Sequence, residues 1–66
     1  MLIILRTKRE GKQIIVNLDQ VCYISEEDIG GGNTQTVLHY NNYNIMVDES
    51  PFKIANMKNV HIENYN

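Results

Sequence analysis

The chain has little of what usually stabilises or anchors a small protein. It contains one cysteine, Cys22, so a disulfide within the chain is excluded. Its longest apolar run, residues 1–5, is far shorter than the roughly 20 residues of a membrane span, and it lacks the length and basic flank of a signal segment. A single thiol also suits a reducing compartment. We therefore expect a soluble cytoplasmic protein without a membrane partner.

Residues that carry catalysis or bind metal are also sparse and scattered. Cys22, His39 and His61 lie far apart in the sequence, whereas a metal site needs ligands at recognisable spacing. No serine is spaced with a histidine and an acid in a way that suggests a nucleophile, and the carboxylates are consecutive polar residues at the ends of predicted elements. We therefore expect no enzymatic activity, no metal and no cofactor.

The glycines do not form a phosphate-binding loop. Such a loop places spaced glycines between a strand and a helix, so that the amides and the helix dipole converge on the anion. Here the run Gly30–Gly32 follows three acidic residues and lies between two predicted strands. We interpret residues 27–33 as a mobile loop, because the glycines maximise backbone freedom and bury nothing.

The positive signal is a pair of strands that are apolar on both faces, Leu2–Leu5 and Ile14–Val16. A strand with one solvent-exposed face alternates apolar and polar residues, whereas a strand that is apolar at every position must be buried on both faces. A domain of 66 residues has few other elements that could bury both faces of these strands. Small domains often depend on oligomerisation for stability. The pattern predicts a homo-oligomer, most simply a dimer, through Leu2, Ile3, Ile4, Leu5, Ile14, Ile15 and Val16.

The remaining pattern predicts a mainly β fold, a small antiparallel sheet or partly open barrel of four or five short strands with one C-terminal helix. The predicted strands cover residues 1–8, 13–17, 21–26, 34–40 and 43–47, with a further edge strand at 60–62 and a frayed tail at 63–66. Ser50–Pro51 is a helix start, since Ser caps free amides and Pro fits the first helical position. We expect residues 1–66 to form a single domain.

Several side chains are expected to pack in the core. Cys22 has apolar neighbours and is predicted to be a small buried residue. Tyr23, Tyr40 and Tyr43 are expected to pack across strands rather than to stack on nucleic-acid bases. In the helix, Phe52 begins an apolar stripe with spacing i, i+3.

The one charged cluster lies on the first hairpin. Residues 1–12 have a net charge of +3, and the remainder has a net charge of −5. The cations are Arg6, Lys8, Arg9 and Lys12. They are candidates for contact with RNA phosphates or an acidic protein surface, and the alternative is that they keep the end of the hairpin soluble and blunt an edge.

The order of elements resembles the small flagellar-operon proteins of the SwrD/FlbD type. The resemblance rests on a first hairpin, the bend Asn17–Val21, a strand, a second hairpin and the segment Val47–Ser50 before a short helix. It covers most of residues 1–58. It implies a small accessory or regulatory protein with no chemistry of its own.

A second resemblance concerns the N-terminal hairpin. Met1–Ile3, followed by Arg6, Lys8, Gly11 and Ile14, is similar to the opening of the carbon-storage-regulator RNA-binding proteins, which are intertwined β dimers. This resemblance implies RNA contact at Arg6. The leading prediction is a self-associating, non-enzymatic interaction module, and the alternative is a post-transcriptional regulator that binds RNA through the basic hairpin.

Overall fold

A computed structural model describes residues 1–60 and has a mainly β fold with one short helix, as the sequence predicts. The strands are β1 (Leu2–Arg6), β2 (Gln13–Asn17), β3 (Tyr23–Gly30), β4 (Asn33–His39) and β5 (Asn44–Val47), and the helix is α1 (Pro51–Ala55). One turn of 3-10 helix, Leu18–Gln20, connects β2 to β3. The side chain of Asn17 caps this turn by accepting from the Asp19 N–H at 3.0 Å, which is why β2 ends there.

The strands form two antiparallel sheets that meet at one corner. β1 pairs with β2, and β4 lies between β3 and β5. A bridge between Thr7 and Val47 joins the sheets, and the Asp48 N–H donates to the Arg6 carbonyl at 2.9 Å. The resulting order is β2–β1–β5–β4–β3. Within residues 1–60, the end strands β2 and β3 each pair along one side.

The core lies between the inner faces of the two sheets. Ile3 lies opposite Val16 across the first hairpin, and both side chains are buried. Burying an aliphatic side chain of this size stabilises the fold by roughly 1.5–3 kcal/mol. The second sheet therefore covers one face of the hairpin within a single chain. The buried cluster consists of Ile3, Leu5, Val16, Leu38, Val47 and Ile54.

The loop expected over residues 27–33 is wrong in its extent. β3 continues through Glu27 and Asp28 to Gly30, which pairs with Asn33, and the register shifts between Asp28 and Gly30 as in a β-bulge. Gly31 and Gly32, with φ of 61° and 76°, connect β3 to β4. Two central residues with positive φ match the twist of a two-residue hairpin, so the glycines make a tight turn.

Helix α1 begins as the sequence predicts. The Ser50 hydroxyl accepts from the Lys53 N–H at 3.1 Å, and Pro51 occupies the first turn. The helix ends at Ala55. The expected burial of Phe52 is wrong, since its side chain is 80% exposed. A helix this short presents one residue, Ile54, to the core.

After the helix the chain returns to β1. The Val60 N–H donates to the Leu2 carbonyl at 2.8 Å, and the Asn59 side chain accepts from the Leu2 N–H at 2.7 Å. The rest of the predicted edge strand at 60–62 and the tail at 63–66 lie outside the described residues. No helix in residues 1–60 has the length and apolar composition to cross a bilayer.

Candidate functional site

β2 presents an open strand edge. The Thr7 N–H donates to the Lys12 carbonyl and the Leu18 N–H to the Met1 carbonyl, both at 2.8 Å. These bonds fix the alternation of the antiparallel ladder, in which every second residue bonds to the partner strand. Gln13, Ile15 and Asn17 therefore direct their backbone N–H and C=O groups away from β1. No strand in residues 1–60 pairs with them.

A groove of about 530 Å³ runs along this edge. One wall consists of residues 14–17 of β2, and the other consists of residues 40–43, with Gln20 and Ile45 completing the lining. Because consecutive residues of β2, which alternate between its two faces, border the groove, it follows the strand edge. None of the lining residues carries a formal charge, although charged residues make up 21% of the chain. The groove therefore suits an uncharged occupant.

The far wall of the groove is aromatic. The rings of Tyr40 and Tyr43 stack with centroids 4.6 Å apart and planes at 6°. Burial, with a further contribution from Tyr43, raises the pKa of the Tyr40 hydroxyl above its ordinary value, so Tyr40 stays neutral at physiological pH. The predicted core packing is wrong for Tyr43, which is 59% exposed, because it lies at the turn between β4 and β5.

A second aromatic pair lies on the outer face of the three-stranded sheet. Tyr23 stacks on His39 with ring centroids 4.0 Å apart, and the Ser25 hydroxyl lies 2.7 Å from His39 Nε2. Tyr23 packs across the strands as predicted, but it is 60% exposed, so the prediction that it lies in the core is wrong. Its position opposite His39 in the register places it on the face away from the core.

The seven residues predicted for self-association divide between the two faces of the first hairpin. Ile3, Leu5 and Val16 are buried inside the single chain, so the prediction that they form a contact surface is wrong. Ile4 and Ile15 lie opposite each other on the outer face, 41% and 49% exposed. The remaining two, Leu2 and Ile14, are half-buried.

The basic residues all lie at the turn end of the same hairpin and are exposed. The Arg6 guanidinium donates to the Gly11 carbonyl, and Lys12 Nζ lies 3.3 Å from a Glu10 carboxylate oxygen. These contacts hold Arg6 and Lys12 against the turn, while Lys8 and Arg9 extend from it. Gly11, with φ of 66°, permits the tight reversal.

Cys22 is exposed, so its predicted burial is wrong. β3 begins one residue later, at Tyr23, and the Cys22 thiol donates to the Asn41 side-chain carbonyl at 3.2 Å. The described part of the chain contains no group of three or more His, Cys, Asp or Glu side chains arranged to hold a metal ion.

Comparison of the chain with protein-family models, with curated proteins and with solved structures finds no match. The resemblances to the flagellar-operon proteins and to the carbon-storage regulators therefore stay predictions. The geometry of the molecule itself is the basis for the proposals below.

Proposed function

We propose that the chain is a non-enzymatic interaction module that self-associates as a dimer and serves an accessory or regulatory role. The observation that supports this proposal is the open edge of β2. Natural sheets usually protect an end strand with charged side chains, proline, a bulge or a covering element. β2, Gln13–Asn17, has no charge, no proline and no bulge. A second copy would supply a strand to pair with this edge.

Two further features support the proposal. Ile4 and Ile15 place an aliphatic pair on the outer face beside the edge, where added strands gain cross-strand contacts. The exposed thiol of Cys22 suits a reducing environment, and a cytoplasmic location is part of the proposal. The resemblance to small flagellar-operon proteins is the basis for the accessory or regulatory role.

The test compares one substitution on each end strand. Ile15 of β2 and Ile29 of β3 are both 49% exposed, so lysine at either position costs little core packing. We expect the parent and Ile29→Lys to be dimers by light scattering at micromolar concentration. Ile15→Lys should be a monomer, since a dimer would place two like charges at its edge. A monomeric parent with a folded circular-dichroism spectrum would contradict the proposal, as would a dimeric Ile15→Lys.

The second candidate function is RNA binding, and the exposed cations at the end of the first hairpin favour it. Affinity for single-stranded RNA should fall with salt, by a slope of about 0.7 per neutralised phosphate on a logarithmic plot. Replacing Arg6 and Lys8 with alanine should abolish binding in a filter or polarisation assay. Replacing Lys53 and Lys58, which lie elsewhere, should leave it unchanged. Equal affinity of the two double variants, or no binding by the parent, would reject this function.

A further inference from the structure

We infer that β2 pairs antiparallel with β2 of a second copy, with the two Ile15 residues directly opposite each other in the groove. This inference rests on the proposed self-association and adds the register and the site. The outward N–H and C=O of Ile15 point at the groove, as do those of Gln13 and Asn17. Centring the pair on Ile15 brings all three into a ladder of about six backbone hydrogen bonds.

The sequence of β2 is chemically symmetric about Ile15. An amide residue stands at each end, at Gln13 and Asn17, with branched aliphatic residues between them. In the proposed register Gln13 faces the partner's Asn17, and Ile14 faces the partner's Val16. This register places amide side chains opposite each other and apolar side chains opposite each other, and it places no charged residues opposite each other. A register shifted by two residues would leave one pair of outward residues without a partner.

The neutral groove fits this occupant. A strand paired with β2 would lie about 4.8 Å from it, alongside the Tyr40–Tyr43 turn. The entering strand is as free of charge as the groove that receives it. Opposed residues share a face of a sheet, so the outer face would carry a continuous row of Ile4 and Ile15 from both copies. Pairing through β3 would instead oppose acidic side chains.

Cysteine cross-linking tests the register. In a Cys22→Ser background, Ile15→Cys should form a covalent dimer under mild oxidation, because Cα atoms about 5.5 Å apart lie within disulfide reach. Gln13→Cys is the matched control on the same edge, and its two copies would be several residues apart along the ladder. We expect a several-fold lower yield for this control on a non-reducing gel. Mixing Gln13→Cys with Asn17→Cys should restore the yield.

The outcomes separate this inference from the proposal beneath it. If the Cys22→Ser protein is a dimer by light scattering but Gln13→Cys cross-links as well as Ile15→Cys, the register is overturned and self-association stands. Absence of a cross-link at all three positions in a dimeric protein would overturn the use of β2. A monomeric Cys22→Ser protein would overturn both.

Discussion

The two end strands, β2 and β3, differ in how their outer edges are protected. β3 carries three adjacent exposed carboxylates at 26–28 and a register shift between Asp28 and Gly30. Each of these features hinders the addition of another strand. β2 is shorter, unbroken and uncharged, and it borders an open groove. The same chain therefore protects one edge and leaves the other bare.

Under the proposed self-association, this difference assigns the partner to the β2 end of the sheet. An exposed edge is a hazard for non-specific association, so an edge left bare beside a protected one is best explained as an interface. The contact is short, five residues of strand, and small interfaces are characteristic of weak association. We therefore expect a dimer that is present at micromolar concentration and dissociates on further dilution.

The largest expected effect separates the inner and outer faces of the hairpin that carries the bare edge. Ile3→Ala removes a fully buried side chain and should lower the free energy of unfolding by about 2–5 kcal/mol. Ile15→Ala, at a half-exposed position, should cost less than half as much. Urea denaturation at a concentration where the protein is monomeric measures both. Equal losses would mean that the outer face is also part of the core.

A smaller effect is expected at the turn of the protected hairpin. Gly32 has φ of 76°, and no atom lies within 4 Å of a β-carbon added there, so substitution affects the backbone alone. Gly32→Val should cost about 1–2 kcal/mol, the penalty for an L-residue in the left-handed region. Gly32→Asn should cost less, since Asn tolerates that region. Thermal denaturation of both variants measures the difference, and equal midpoints would contradict the turn geometry.

Local signals were sufficient to predict much of this fold. The bounds of β2 follow from an apolar segment closed by Asn17, and the start of α1 follows from Ser50 and Pro51. Each signal depends on neighbouring residues, so no knowledge of the packing is needed. The apolar run of β1 is different, because a run without alternation carries no period that separates its two faces. The packing of the second sheet against the first hairpin decides which residues of β1 face the core.

The sequence predicts only one side of the candidate site, because the other side depends on how the two sheets pack. The contact of β2 with a partner stays a prediction, whereas the absence of charge and proline in that strand was a signal for its open edge. The far wall of the groove, Tyr40–Tyr43, comes next to β2 only when the two sheets pack together. Gly30–Gly32 was ambiguous because glycine serves both flexible loops and tight positive-φ turns.

The smallest expected effect tests why β3 stays unpaired. In the Ile15→Lys background, we replace Glu26 and Glu27 with glutamine and Asp28 with asparagine. Asparagine keeps the side-chain oxygen that accepts from the Gly30 N–H at 2.9 Å, so stability should change by no more than about 0.5 kcal/mol. Removing the charges should permit weak pairing between β3 strands, seen as a rise in sedimentation mass at high concentration.

A control variant, Glu10→Gln with Asp48→Asn in the same background, neutralises carboxylates outside β3 and should remain monomeric. Association in both variants would mean that losing carboxylates anywhere, rather than on β3 in particular, permits pairing. Association in neither would assign the protection of β3 to the bulge, since it remains in place. In the second case the contrast between the two edges would rest on backbone geometry, because the carboxylates would then contribute nothing to it.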